Sequence, residues 1–372
     1  MPQVKISNGK DGSIKCICKR HMKILITGGA GFIGSALIRH LIADTGDIIV
    51  NVDKLTYAAN LDSLQSILPS RRYFFEQGDI CDRERMAQLL NKYQPDAVMH
   101  LAAETHVDRS IDNPEEFITT NIIGTYRILE CVRTYFFGLS SEKKETFRFH
   151  FISTDEVYGS LQDNAFSTEA DPFHPNSPYA SSKAAAEHIV RAWNKTYGLP
   201  TITTNCSNNF GPFQFPEKLI PLMIIKAIQW EPLPIYGMGD NIRDWLYVDD
   251  HARALRLILE KGVPGENYNV SAGNTKTNLE IAHGICDTID HLVPPANGKL
   301  RRNLITFVQD RPGHDKRYAL DARKLGSALG WKPVESFESA LQKTIKWYID
   351  HEDWWRKIFN STYDGHRLGV AP

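Results

Sequence analysis

The feature that most constrains the fold is a glycine-rich turn between an apolar run and a helical pattern. Residues 23–27 read KILIT, a buried strand, and residues 27–34 read TGGAGFIG, with glycines at 28, 31 and 34. Glycines at these positions allow a tight turn and close approach of the backbone to a pyrophosphate at the positive end of the next helix. Asp53 ends the second strand, where a carboxylate accepts hydrogen bonds from ribose hydroxyls and repels a 2′-phosphate. The sequence therefore predicts a dinucleotide site that takes NAD.

The pattern after this turn alternates strand-length apolar runs with longer helical patterns. It predicts strands over 47–53, 96–103, 148–154 and 199–205, and a helix near 83–93. This alternation is typical of an α/β protein with a doubly wound parallel Rossmann sheet, whose ligands bind beyond the carboxyl ends of the strands.

We predict three regions along the chain. They are a disordered N-terminal extension or cloning remnant over residues 1–21, an NAD-binding Rossmann domain over 22–205, and a smaller mixed α/β C-terminal substrate lobe over 206–372. The lobe is expected to be interleaved with returning sheet strands, such as 266–271, because proline-rich irregular stretches alternate there with strand-like runs.

Composition excludes several classes of function. Lys and Arg number 43 against 44 Asp and Glu, and no run of about eighteen apolar residues occurs. We therefore expect no nucleic-acid partner and no membrane association. The 6 cysteines show no zinc-site spacing, so we expect no metal, reduced thiols and a cytoplasmic location.

A second constellation indicates proton chemistry. Tyr179 and Lys183 are four residues apart in a helical pattern, so they share a face. We expect the Lys183 ammonium to lower the pKa of Tyr179 so that the phenol serves as a base. Thr154 leaves the end of a predicted strand, where it could bridge Tyr179 and a substrate hydroxyl. This arrangement resembles the extended short-chain dehydrogenase/reductase family.

Asp155 and Glu156, directly after Thr154, discriminate within that family. One carboxyl could donate a proton while the other removes one. A simple oxidoreductase or a sugar epimerase needs neither acid, whereas a dehydratase needs both. The alternative reading is a pair of helix-capping acids.

Longer blocks resemble the dTDP-glucose 4,6-dehydratase family, in the nucleotide-sugar branch. The blocks, in chain order, are DKLTYAANL (53–61), LAAETHVDRSID (101–112), TDEVYG (154–159), TNCSNNFGPFQFPEKLIPL (204–222), RDWLYVDDHARAL (243–255) and DRPGHDKRYA (310–319). The likeness begins at Met22 and covers nearly the whole remaining chain.

The resemblance implies a hydro-lyase that converts dTDP-glucose to dTDP-4-keto-6-deoxyglucose and water. Tyr179 would take the proton of the C4 hydroxyl while hydride passes to NAD. Glu156 would then remove the C5 proton, Asp155 would protonate the departing C6 hydroxyl, and the hydride would return to C6. NAD would therefore stay tightly bound and be regenerated each turnover.

The resemblance also implies site residues. The catalytic set is Thr154, Asp155, Glu156, Tyr179 and Lys183. The cofactor set is Gly28, Gly31, Phe32, Ile33, Gly34, Asp53, Lys54, Leu55, Thr56, Asp79, Ile80, Leu101, Ala102, Ala103, Thr120, Tyr179, Lys183 and Asn209. The substrate set is Thr105, Thr154, Asn208, Lys218, Leu219, Ile220, Pro221, Pro234, Ile235, Tyr236, Arg243, Asn278, Arg311 and His314.

Two further expectations concern the oligomeric state and the substrate specificity of the protein. Two amphipathic helical patterns, over 117–136 and 181–197, would form a four-helix interface in a homodimer, as they do in this family. The alternatives that remain are a dehydratase acting on UDP- or GDP-sugars, a nucleotide-sugar 4-epimerase, and a protein that holds NAD without turnover.

Overall fold

The structure is a computed structural model, and it describes residues 6–8, 14–16, 21–361 without 163 and 296–297, and 363. Its strands are β1 (Ile6–Asn8), β2 (Ile14–Cys16), β3 (Lys23–Thr27), β4 (Ile48–Asp53), β5 (Tyr73–Gln77), β6 (Ala97–His100), β7 (Arg148–Thr154), β8 (Thr201–Cys206), β9 (Asn208–Phe210), β10 (Leu233–Tyr236), β11 (Ile242–Tyr247), β12 (Asn267–Val270), β13 (Thr275–Thr277) and β14 (Ile305–Val308).

Thirteen α-helices accompany these strands in the described residues. They are α1 (Phe32–Asp44), α2 (Arg83–Tyr93), α3 (Val107–Asp112), α4 (Pro114–Phe117), α5 (Thr125–Gly138), α6 (Ser141–Thr146), α7 (Pro178–Tyr197), α8 (Leu219–Gln229), α9 (Val248–Lys261), α10 (Asn278–Leu292), α11 (Arg323–Leu329), α12 (Phe337–Asp350) and α13 (Glu352–Ser361).

Seven strands form the central sheet in the order β12-β8-β7-β6-β3-β4-β5, and every neighbouring pair is parallel. The reversal of strand order beside β3 is that of a doubly wound sheet, so the predicted fold class is confirmed. The sheet's edge strand β12 comes from the C-terminal part of the chain, so the strand predicted near 266–271 does return to the sheet.

Apolar layers cover both faces of this sheet. One layer joins β3 and β4 to α2, α5 and α7, and the other joins them to α1 and α9. A separate core packs α8, α10, α12 and α13 around β10 and β11, with Trp355 and Tyr348 fully buried. Two cores agree with a Rossmann region and a smaller lobe, while the domain limits themselves stay a prediction.

Two local features differ from the sequence expectations. The extension expected to be disordered contains the antiparallel pair β1 and β2, with Ile6 opposite Cys16. The single helix predicted over 117–136 is interrupted by a π-helical segment, Ile118–Gly124. This segment directs Asn121 inward, where its amide bonds both the backbone N–H and the carbonyl of Glu104 at 2.9 Å. An apolar spacing of three and four cannot reveal such a segment.

Candidate active site

A pocket lies where the carboxyl ends of β3, β4, β6, β7 and β8 meet the lobe. Every predicted cofactor residue except Leu55 lines it. Leu55 instead has a left-handed backbone, with φ of 63°, and its N–H donates to Asp53. The pocket also contains all five predicted catalytic residues, so cofactor and reaction chemistry share one space.

The glycine turn at the floor of this pocket fits a pyrophosphate. Gly28 has φ of +74°, and a Cβ placed there would be 2.6 Å from the backbone nitrogen of Ala102. A Cβ on Gly34 would lie 2.2 Å from the Gly28 carbonyl oxygen. Helix α1 begins after Gly31 without a side-chain cap, so the N–H groups of its first turn are available to an anion at the pocket.

Gly34→Ala is expected to destabilise the fold by about 1–3 kcal/mol, because the added methyl overlaps backbone that cannot move aside. The same change displaces the first turn of α1 and weakens NAD binding. Thermal unfolding and a fluorescence titration with NAD measure the two effects.

Gly138→Ala is the matched control, since a Cβ there meets nothing within 4 Å. It should leave both quantities unchanged or raise stability slightly. Equal melting temperatures for the two variants would show that the turn is not packed as described.

Asp53 is positioned by the backbone of this turn. Its Oδ2 accepts the Ala30 N–H at 2.9 Å and its Oδ1 accepts the Leu55 N–H at 2.8 Å. Burial raises the pKa of Asp53, and these two hydrogen bonds act against that rise. Each oxygen keeps a second lone pair for a ribose hydroxyl. Nearby, Lys54 forms an ion pair with Asp79 at 2.8 Å on the same wall of the pocket.

The acid pair begins a short 3₁₀ helix, Asp155–Tyr158, directly after β7. Thr154 caps this helix, because its hydroxyl oxygen accepts the Glu156 N–H at 3.3 Å. The same hydroxyl donates to Asp155 Oδ1 at 3.2 Å. The capping role therefore belongs to Thr154, and the reading of the two acids as caps is wrong.

The environments of the two acids differ. Burial and the neighbouring Glu156 carboxylate raise the pKa of Asp155 well above its usual range. The pKa of Glu156 is also raised by burial, but Arg311, Arg243 and Lys218 all act to lower it. Two carboxyls whose surroundings separate their pKa values can serve as acid and base in one reaction. Asp155 is thereby suited to give a proton and Glu156 to take one.

Tyr179 and Lys183 lie on α7, which begins after the cap Ser177. Burial and Glu156 raise the pKa of Tyr179 well above its usual value, while a hydrogen bond with Thr154 lowers it. Lys183 donates to the Ile152 carbonyl at 2.8 Å, and burial lowers its own pKa to about 8. In the chain by itself the pKa of Tyr179 is thus raised, not lowered as expected, and the lowering effect of Lys183 stays a prediction. The predicted proximity of Thr154 and Tyr179 is confirmed.

The predicted substrate residues divide into two groups. Thr105, Thr154, Asn208 and Lys218 line the pocket, and Lys218 Nζ donates to the Thr105 carbonyl at 3.0 Å. The others do not line it, and they are Leu219, Ile220, Pro221, Pro234, Ile235, Tyr236, Arg243, Asn278, Arg311 and His314.

Part of this second group meets at Asp108 on α3. Its carboxylate accepts from Arg311 at 2.6 Å and from the Tyr236 hydroxyl at 3.1 Å. Arg243 is buried and donates to the carbonyls of Ile242 and Asp315. The adjacent Asp244 is fully buried as well, and it bonds Ser271 and Asn274.

Sequence reasoning missed several residues that line the pocket. They include Glu104, Cys206, Gln214, Phe215 and Glu217. Glu217 is held by Arg109 Nε and by the Tyr57 hydroxyl, each at 2.9 Å. These partners are 108 and 160 residues away, so no local pattern marks them. Glu217 precedes Lys218, and that adjacency was the one available signal.

The chain resembles many proteins of known family. A sequence profile of the GDP-mannose 4,6 dehydratase family matches residues 25–344. A dTDP-glucose 4,6-dehydratase of Neisseria meningitidis is 58% identical over 94% of this chain and 99% of its own. The dTDP-glucose 4,6-dehydratase 1 of Escherichia coli is 56% identical over 92% of this chain and 97% of its own. The chain belongs to the dTDP-glucose 4,6-dehydratase family.

Solved structures agree with this family membership. A dTDP-glucose 4,6-dehydratase of Streptomyces venezuelae with NAD and dTDP bound is 40% identical, with a TM-score of 0.83 over 91% of this chain and 100% of its own. One of Bacillus anthracis with NAD is 42% identical, with a TM-score of 0.79 over 91% and 99%. A UDP-glucose 4-epimerase of Thermus thermophilus has the same fold at 28% identity, with a TM-score of 0.78 over 89% and 100%. Membership of the dTDP-glucose 4,6-dehydratase family thus accounts for the fold.

Proposed function

We propose that this chain is an NAD-dependent dTDP-glucose 4,6-dehydratase, a hydro-lyase that forms dTDP-4-keto-6-deoxyglucose and water. The observation that carries the proposal is the acid pair Asp155 and Glu156 in the same pocket as Thr154, Tyr179 and Lys183. The identity of 58% to a relative of that name supports the choice of reaction and of nucleotide. An epimerase needs only the Thr, Tyr and Lys part of this arrangement.

The residues proposed to hold NAD are those of the glycine turn, Asp53 and the wall around Asp79 and Ala102. Bound NAD supplies a hydride acceptor for C4, a hydride donor for C6 and a positive ring. The chain's part is to fix the pyrophosphate at α1, the ribose at Asp53 and the reacting sugar beside Tyr179.

The protein's own groups then move protons in two stages. In the first, the ionised oxygen of Tyr179 takes the proton of the C4 hydroxyl, with Thr154 holding the tyrosine and the substrate in line. The Lys183 ammonium and the positive ring of bound NAD would favour this ionised form and so oppose burial, which raises the pKa of Tyr179 in the chain by itself. The resulting ketone makes the hydrogen on C5 acidic.

In the second stage, Glu156 takes the C5 proton while Asp155 gives its proton to the departing C6 oxygen, which leaves as water. The raised pKa of Asp155 suits this role, because burial and the neighbouring Glu156 carboxylate both favour the protonated carboxyl. The cations around Glu156, which oppose the rise in its pKa, favour the ionised base. A solvent proton returns to C5 as C6 is reduced.

A panel of nucleotide sugars tests the substrate assignment. The purified protein is incubated with dTDP-, UDP- and GDP-hexoses without added reductant, and base-induced absorbance of a keto sugar is measured. We expect the signal with dTDP-glucose. Signal with UDP- or GDP-glucose alone would favour those dehydratases, and interconversion of C4 epimers would favour an epimerase. Absence of all turnover would favour a protein that merely holds NAD.

We further propose that the enzyme is a cytoplasmic homodimer. Exposed apolar side chains cluster on the π-helical segment, α5 and α7: Ile118 (51%), Ile123 (40%), Tyr126 (42%), Phe137 (52%) and Tyr197 (38%). Such a patch on neighbouring helices favours a self-complementary interface. Within the described part of the chain, none of the helices has the length and apolarity needed to span a bilayer.

Ile123→Glu is expected to convert the dimer to monomer, because it buries a charge in the apolar contact. Light scattering of the wild type and the variant measures the mass. Leu68→Glu, at a position that is 54% exposed outside these helices, should remain dimeric. A monomeric wild type would contradict the proposal.

A further inference from the structure

Glu187 is a buried acid that the reaction does not use directly. It lies on α7 four residues after Lys183 and eight after Tyr179, so the three side chains form one row on the helix. Its side chain is only 5% exposed. An acid is rarely buried to this extent unless it has a partner, so its contacts indicate why it is there.

One contact connects Glu187 to the strand end that carries the catalytic threonine. Its Oε1 accepts from Asn205 Nδ2 at 2.6 Å, and the same Nδ2 donates to the Thr154 carbonyl at 3.1 Å. Asn205, on β8, is fully buried. Lys183 makes a parallel connection to the Ile152 carbonyl. Helix α7 is therefore attached to the last residues of β7 at two carbonyls.

The second relation is electrostatic. Glu187 acts as the principal anion on Lys183, raising a lysine pKa that burial has lowered to about 8. Burial raises the pKa of Glu187 to about 7, while hydrogen bonds with Ser153 and Asn205 and the charge of Lys183 act to lower it. The other titratable groups nearby are Tyr158 on the 3₁₀ helix, Cys206 on β8 and His100 on β6. None of these three supplies a negative charge at neutral pH.

We propose that Glu187 is a positioning residue of the reaction, which orients the Thr154 strand end through Asn205 and serves as the counter-ion of Lys183. This assignment rests on the proposed function only through the roles of Thr154 and Lys183. We expect substitutions to separate the two contributions of Glu187, its hydrogen bond with Asn205 and its negative charge.

Glu187→Gln keeps the acceptor for Asn205 and removes the charge. Below about pH 7 the native side chain is itself largely protonated, so variant and wild type should turn over dTDP-glucose at similar rates. Above that pH the wild type carries an anion at position 187 and the variant does not. Lys183 of the variant therefore loses its proton at lower pH, and the alkaline limb of the kcat profile moves to lower pH with it. We expect a rate deficit growing from under about 2-fold at pH 6 to about 10-fold at pH 8.5, the change produced by a one-unit shift of pKa.

Asn205→Ala breaks the connection to Thr154 and leaves the charge. It should lower kcat at every pH, including below pH 7 where Glu187→Gln has little effect, and KM for dTDP-glucose should change little. The lost hydrogen bond also raises the pKa of Glu187, so the distinguishing result is the deficit at low pH. Glu266→Gln, at a partly exposed ion pair with Lys324, is the control and should match the wild type throughout. A constant deficit of Glu187→Gln at all pH values, or an Asn205→Ala variant that matches the wild type below pH 7, would overturn the proposal.

A second readout needs no turnover. When the pKa of a carboxyl is higher in the folded than in the unfolded protein, the folded state becomes less stable as the pH rises from the unfolded value to the folded value. The melting temperature of Glu187→Gln minus that of the wild type should therefore increase between pH 5.5 and 8. A melting-temperature difference that does not change with pH would overturn the proposal for Glu187. If the difference increases as expected but the wild type does not turn over dTDP-glucose, only the proposed function is contradicted.

Discussion

Glu156→Gln is expected to stop dehydration while leaving oxidation at C4 intact. The amide cannot take the C5 proton, and loss of a general base costs about 10²–10⁴-fold in rate. Tyr179 and Lys183 remain, so the first stage still proceeds. Mixing the variant with dTDP-glucose should give reduced-nicotinamide absorbance that persists, with little keto-deoxy sugar formed.

Asp155→Asn is the natural companion variant. It removes the proton donor for the C6 oxygen, and it should also allow the first stage while slowing the second. If Glu156→Gln gave no reduced-nicotinamide signal, Glu156 would be needed for oxidation, and its assignment to the C5 proton would be wrong.

Tyr179→Phe is expected to eliminate both stages. The change removes one oxygen from a buried ring that packs edge to face on Phe117, with centroids 6.3 Å apart, so the fold should be preserved. The C4 hydroxyl then has no proton acceptor, and we expect about 10²–10⁴-fold slower turnover with no reduced-nicotinamide absorbance.

Tyr158→Phe is the matched control. Tyr158 is a buried tyrosine on the neighbouring 3₁₀ helix, and its hydroxyl donates to Asn269 at 3.1 Å outside the pocket lining. It should retain most activity. Comparable losses in the two variants would show that removal of a buried hydroxyl, and not of the base, explains the effect.

Much of the fold follows from the sequence because its signals are local. The helix predicted at 83–93 and the strand at 148–154 have those bounds in the structure. The strand predicted at 96–103 ends earlier, at His100; the Leu101 N–H still donates to the Thr27 carbonyl at 3.1 Å, and the backbone then passes against Gly28 of the glycine turn. The glycine turn, Asp53 and the Tyr-Lys pair were predictable because spacing alone places them.

Other parts of the site depend on contacts that spacing does not encode. Burial changes the pKa of Tyr179 more than any neighbouring group does, and burial depends on the packed tertiary structure. Asp108 meets Arg311 across 203 residues of sequence. Glu187 is an intermediate case, since its position four residues after Lys183 is visible in the sequence but its link through Asn205 to Thr154 is not.

The central claim is an internal redox cycle in which the hydrogen removed from C4 is returned to C6 of the same sugar. The most direct test uses dTDP-glucose deuterated at C4, in ordinary water, with the product analysed by NMR and mass spectrometry. We expect deuterium at C6 and a solvent hydrogen at C5. Deuterium retained at C4 or lost to solvent, with no label at C6, would contradict the account.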